Sequence, residues 1–299
     1  MKLFLSELFS LFQTSYRHWS THHSPLLAAG LAYYTIFSLA PLLVVSVSVA
    51  GLVFKPEAVS SLIVSQIRHV VNPQAAEAIL NILSEQQYLR ISSSATLISL
   101  LAMVIGASIM FAQLKHAINF VWGIAPQPGQ HLGILIRTHF LSTIIVLTIA
   151  FLLLALMFVT TLFVAIEQQY HLLPDNIDKS IPQADFGIVF AGFAILFTLI
   201  FKLLPDAKLS WRDAMIGAIV TSLLFTMGEF FIGILLGWVS RFRISGAAST
   251  IFILLIWVYN SMQIILYGAA FTSVFAQRYG SGVCPTKNAA RVTRTVEML

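Results

Sequence analysis

The chain has 299 residues, 58% of them hydrophobic and only 10% charged, with a net charge of +5. An ordinary soluble domain carries roughly 25% charged residues, and a soluble fold of this length has too little interior to hide so much apolar side chain, so lipid must be the solvent for most of it. The positive balance is the Lys and Arg excess expected of cytoplasmic loops rather than a nucleic-acid surface, and the single cysteine, Cys284, excludes an intramolecular disulfide and any Cys-based metal cluster.

In residues 1–24, Phe4, Leu8, Phe12, Tyr16 and Trp19 recur at helical spacing. Glu7 interrupts any signal-peptide core, and no small-residue cleavage site follows. The pattern predicts an amphipathic helix lying in the membrane interface. Arg17, His18, His22 and His23 make its polar end. No further ligands stand at fixed spacing, so the histidines read as a headgroup-facing segment and no metal is expected.

Leu26–Phe54 is twenty-nine residues without a charge, whereas roughly 20 apolar residues cross a hydrocarbon core. It is the first predicted span. Tyr33, Tyr34, Ser38 and Pro41 interrupt its aliphatic surface, which an anchor would not need. Residues 55–92 then mix charges with periodic apolar positions, divided at Asn72-Pro73. They predict an external helical hairpin between the first two spans. The second span covers about 95–121 and ends near Lys115, His116 and Asn119, with Trp122 as an interfacial anchor. The third covers 140–165, followed by an acidic loop at 167–185, and the fourth covers 186–204. A short basic turn from Pro205 leads into the fifth, 214–239, and Arg241 and Arg243 mark the connection to the sixth, 247–276. The expectation is an all-α polytopic membrane protein: one six-helix transmembrane domain over 1–279 and a flexible cytoplasmic tail over 280–299. Eleven of the 17 Lys and Arg fall on the side shared by the two termini, which puts both termini in the cytoplasm.

Glu229 is the one acidic residue well inside a predicted span. A carboxylate there is costly unless paired, protonated or wet, so it is a candidate coupling or substrate-binding group, with a structural hydrogen bond or an interfacial position as the alternative. Asn260 and Gln263 share a face of the sixth span, flanked by Tyr259. They suit either interhelical hydrogen bonds or a solute-lining surface. Gly233 with Gly237, and Gly268 with Thr272, have the spacing that permits close helix packing. Metalloprotease, serine-hydrolase, P-loop and dinucleotide motifs are absent from the sequence, so no catalytic residue and no cofactor is expected.

Four stretches, AAGLAYYTIFSLAPLL, LKHAINFVW, LLPDAKLSWRDAMIGA and ISGAASTIFILLIWVYNSMQIILYGAAF, occur in an order and spacing that resembles the YihY/BrkB family of bacterial inner-membrane proteins. The resemblance implies six transmembrane helices and an inner-membrane location. It also implies importance for Tyr33, Tyr34, Ser38, Pro41, Asn119, Trp122, Pro205, Trp211, Gly217, Gly246, Trp257, Tyr259 and Gly268. The family once carried the label ribonuclease BN, but this chain has neither a nuclease constellation nor a soluble domain to hold RNA. One departure is that relatives usually have Gly-Ala-Glu where this chain reads Gly268-Ala269-Ala270.

The expected activity is that of a transporter or permease-like protein for a small solute, ion or lipid-like molecule. Its candidate cavity is lined by Tyr33, Tyr34, Ser38, Pro41, Asn119, Glu229, Tyr259, Asn260 and Gln263. The alternative is a non-transporting membrane scaffold or assembly factor. The bilayer is the expected partner, nucleic acid is not, and a homo-oligomer is compatible with the sequence.

Overall fold

The computed structural model describes residues 2–50, 106, 109–126, 181–240, 247–286 and 289–292. Six helices carry the described residues: α1 (Lys2–Thr21), α2 (Ser24–Ala50), α3 (109–121), α4 (Ile181–Leu203), α5 (Trp211–Ser240) and α6 (Ala247–Tyr279). Four short strands join them: β1 (Ile124–Pro126), β2 (Ala207–Lys208), β3 (Cys284–Pro285) and β4 (Ala289–Arg291). The hairpin expected at 55–92 and the span expected at 140–165 lie outside the described residues.

Local chemistry accounts for the helix boundaries. Between α1 and α2, His23 takes a left-handed φ of 50°, a region in which His is among the better-tolerated residues. Its carbonyl then accepts from the Leu26 and Leu27 N–H groups, while Pro25 sits in the first turn of α2, where a missing N–H costs nothing. At the start of α5, Ser210 Oγ accepts the Asp213 N–H at 3.1 Å, an N-cap bond. The Asp213 charge in that first turn suits the positive end of the helix dipole.

Helix α5 is built the reverse way from a helix in water. Met215, Ile219, Leu223, Met227, Phe231 and Ile234 are exposed along one stripe, while Asp213, Gly217, Thr221 and Ser222 are buried on the other side. An outward face that is more apolar than the inward one is stable only where the surroundings are hydrocarbon. Within the described residues, Trp211–Ile234 and Phe252–Tyr279 are long and apolar enough to cross a bilayer.

The chain divides into two units, one made of Met1–Leu27, Ala112–Leu224 and Gln263–Leu299, the other of Ala28–Phe111 and Phe225–Met262. In the first, α1 docks on α6. Leu11 packs with Phe271 and Val274, the Phe12 and Phe271 rings lie 5.2 Å apart, and Tyr267 Oη donates to the Phe12 carbonyl at 3.2 Å. Leu8, Phe9 and Tyr16 stay exposed on α1, so the apolar residues of the helix are divided between protein contact and the surroundings. At its end, His18 Nε2 donates to the Val121 carbonyl at 2.8 Å. Burial holds the His18 pKa below the ordinary imidazole value, the neighbouring His22 adds to the lowering, and the bond to Val121 opposes it.

Helices α5 and α6 run antiparallel through a reciprocal seam in this unit. A Cβ on Gly217 would meet Thr272 Oγ1, and a Cβ on Gly268 would meet Thr221 Oγ1. Each threonine also donates to the glycine carbonyl four residues back on its own helix, Thr221 to Gly217 and Thr272 to Gly268, both at 2.7 Å. The hydroxyls are thereby satisfied within their own helices, and the glycines leave room for the partner's methyl groups.

Polar side chains and the strands fasten the end of this unit. Asp206 is clamped by Lys115 Nζ at 2.8 Å and by the Asn119 amide at 3.0 Å, while its own N–H donates to Asn119 Oδ1 at 2.9 Å. Trp122 Nε1 donates to the Ala269 carbonyl at 2.9 Å. β4 pairs antiparallel with β1, and β3 with β2. The buried Asp213 carboxylate accepts from Ser281 N–H at 3.0 Å and from Ser281 Oγ at 2.9 Å.

Two features depart from the sequence reading. The architecture is helical but not purely so, because it carries these two short ladders. The tail expected to be flexible from residue 280 is paired through Arg291. Its backbone groups satisfy carbonyls and N–H groups left open by the loops after α3 and α4, and hydrogen-bonding demand of that kind leaves no hydrophobic period to read.

Candidate functional site

The second unit contains the intramembrane carboxylate. Glu229 lies on α5 and Trp257 on α6, and Trp257 Nε1 donates to Glu229 Oε1 at 2.9 Å. Glu229 is half-buried. Its Oε2 is buried and has no hydrogen-bond partner among the described residues. Placing an acid near the centre of a span costs roughly 2.5–3.5 kcal/mol. A hydrogen bond to a charged group contributes about 1.5–3 kcal/mol, so the indole offsets much of that cost and leaves one oxygen's demand open. Such a carboxylate can take up a proton, or accept a cation or a donor from a passing solute. Ile232, Leu254, Val258 and Met262 supply the buried apolar surroundings of this unit.

The structure distributes the remaining candidates. Tyr33 and Tyr34 are exposed on α2, where the Tyr33 ring packs on Phe37 at 4.7 Å and edge-on to Tyr34 at 5.7 Å. α2 continues as a helix through Ser38 and Pro41, whose side chains lie outside the described residues. Tyr259, Asn260 and Gln263 are half-buried on α6, and among the described residues no hydrogen bond joins them to Glu229. Asn119 belongs to the first unit, where its amide is occupied at both ends by Asp206. It therefore serves as a staple between α3 and the turn before β2. Ala270 is fully buried.

The partner that sequence reasoning missed is Trp257. It was singled out by resemblance, but its bond to Glu229 spans 28 residues and two helices. One signal was present: a tryptophan ten residues inside α6, away from the interface where such residues usually anchor. An indole N–H has nothing to meet in hydrocarbon and so implies a buried acceptor.

Comparison with known proteins supplies the context. The chain matches a family model described as "Virulence factor BrkB" over residues 15–293. It is 30% identical over 267 residues to a UPF0761 membrane protein of Coxiella burnetii, covering 87% of this chain and 91% of that protein. A UPF0761 membrane protein of Actinobacillus pleuropneumoniae is 25% identical over 263 residues, covering 86% of this chain and 90% of that one. A third, from Pseudomonas aeruginosa, is 27% identical over 253 residues, covering 83% of this chain. The match spans 58% of the length of that Pseudomonas relative. No solved structure matches.

Proposed function

The chain belongs to the BrkB family of membrane proteins, and on that premise we propose that this integral membrane protein is a permease. The reading places it in the bacterial inner membrane with six spans and both termini in the cytoplasm. Its cargo is a small solute, an ion or a lipid-like molecule, and Glu229 couples movement of the cargo to a proton or cation. One observation carries this reading: a membrane-embedded carboxylate with one oxygen held by Trp257 at 2.9 Å and the other buried without a partner among the described residues. A purely structural acid has no reason to keep an unmet oxygen in a low-dielectric setting, whereas a group that alternately binds and releases a proton or cation needs one.

The test is electrical. Proteoliposomes of the full chain on a solid-supported membrane are challenged with a panel of amino acids, nucleosides, organic acids and polyamines under imposed pH and sodium gradients. The expected result is a solute-dependent charge movement in wild type that disappears in Glu229→Gln. Gln keeps the acceptor for the Trp257 N–H and removes the titratable oxygen, so the fold is retained. A charge movement unchanged in Glu229→Gln would remove Glu229 from the mechanism.

A second reading, a non-transporting scaffold, is favoured by the reciprocal seam of α5 and α6, where Gly217 and Gly268 leave no space between the helices. It predicts no solute-dependent current for any member of the panel, together with a stoichiometric partner protein that copurifies from membranes.

A further inference from the structure

A cleft of about 470 Å³ opens in the first unit, lined by Thr21, His22, His116, Phe120, the Gly123–Ala125 backbone and Val292. Its volume falls within the range of small-ligand sites. Its polar side chains are Thr21, His22 and His116, the last a ring that when neutral carries one N–H donor and one lone pair. His22 Nδ1 lies 2.8 Å from the His18 carbonyl. A carbonyl can only accept, so Nδ1 carries the proton, and in the neutral ring Nε2 is left as a lone pair for a ligand. The Thr21 hydroxyl spends its single proton on the Arg17 carbonyl at 2.9 Å and the His18 carbonyl at 3.1 Å, and so also offers only lone pairs. α1 ends at Thr21 and α3 ends at 121, so two helix C-termini meet here, and the negative end of a helix dipole favours positive charge. Phe120 adds an aromatic ring beside His22, and Ile124 and Val292 add apolar wall. Lys115, next to His116 in sequence, has its charge paired with Asp206 at 2.8 Å.

We propose that this cleft binds an ammonium group carried on an apolar body, with the N–H donors meeting His22 Nε2 and Thr21 Oγ1. The lining then holds three acceptors, on His22, Thr21 and His116, against the one N–H of His116, so it favours a donor-bearing cation over a carboxylate or phosphate. The inference stands on the first unit alone and does not depend on Glu229. The same ammonium chemistry has two sources, a free amine or an ethanolamine lipid headgroup, and the test separates them.

The full chain in phosphatidylcholine nanodiscs, whose headgroups carry no N–H, is titrated with phenethylammonium, with the neutral isostere 2-phenylethanol and with the anionic 3-phenylpropionate. Saturable binding of the ammonium alone is expected, weakened about tenfold or more in His22→Phe and in Thr21→Val, each of which removes one acceptor. Two variants are used so that one remains informative if the other fails to fold, with size-exclusion profile and melting curve as the controls. Repeating the titration in phosphatidylethanolamine nanodiscs identifies the source. A blocked site means a headgroup occupies it, and an unchanged affinity means a free amine does. Equal or tighter binding of either isostere, undiminished binding in both folded variants, or His22-dependent binding of Ni²⁺ with no ammonium binding would each overturn the proposal.

Discussion

Gly268→Ala tests the α5–α6 seam directly. The added Cβ would overlap Thr221 Oγ1 and lie 2.8 and 2.9 Å from Thr221 Cγ2 and Cβ. Ordinary contact begins at 3.4 Å, so the helices must part or Thr221 must turn. Thr221 resists turning because its hydroxyl is bonded to the Gly217 carbonyl at 2.7 Å. Overpacking of this kind costs about 1–3 kcal/mol, and the better helix propensity of Ala returns about 0.8–1 kcal/mol. The expected net loss is about 0–2 kcal/mol, a Tm drop of up to about 8 °C. Tryptophan fluorescence melting in detergent can read it, since the chain has 5 tryptophans. Thr221→Ala vacates the space, so the double variant Gly268→Ala/Thr221→Ala should lose no more than Thr221→Ala alone, a coupling above about 1 kcal/mol. Gly217→Ala with Thr272→Ala should behave the same way. Simple additivity in both cycles would refute the interlocked geometry.

Trp257→Phe removes the N–H that holds Glu229 at 2.9 Å, and a melting-curve loss of about 1.5–3 kcal/mol is expected. That loss should shrink in a Glu229→Leu background, where no carboxylate is left to hold. Asp213→Ala frees the Ser281 N–H and hydroxyl; a loss of about 2 kcal/mol and early proteolytic cleavage at 280–292 are expected. His18 is depressed mainly by burial, so the unfolded chain binds its proton first as pH falls. Its stabilising contribution is full above the ordinary imidazole pKa of about 6.5, and is lost as pH falls from there through the lower folded value. Melting curves at pH 7.5 and 5.5 should show a drop that is smaller in His18→Gln.

Helices were legible wherever hydropathy alone decided the matter. The expected 186–204, 214–239 and 247–276 correspond to α4, α5 and α6 to within a turn or two. The misjudged ends have physical causes. α5 starts ahead of Ala214 because Ser210 caps it and Asp213 belongs to its first turn, although Arg212 and Asp213 read as loop charges. α4 starts ahead of 186 because Pro182 suits a first helical turn. Small-residue spacing identified Gly268 with Thr272 but not its mate, Gly217 with Thr221, because pairing depends on the register of two helices. The carboxylate of Glu229 was legible as an anomaly in lipid, but its tie to Trp257 was not, for the same reason. Strands of two or three residues have no period to detect, so the ladders were invisible.

The paired tail imposes an order on biogenesis. β1 has been made long before β4, yet neither can be hydrogen-bonded in this ladder until residues 289–291 have emerged. While translation continues, the loop after α3 and the turn before α5 must remain hydrated or chaperoned until residues 284–291 emerge and close both. A premature stop anywhere before Ala289 would therefore produce chains that insert into the bilayer normally and still present unsealed ends to quality-control proteases.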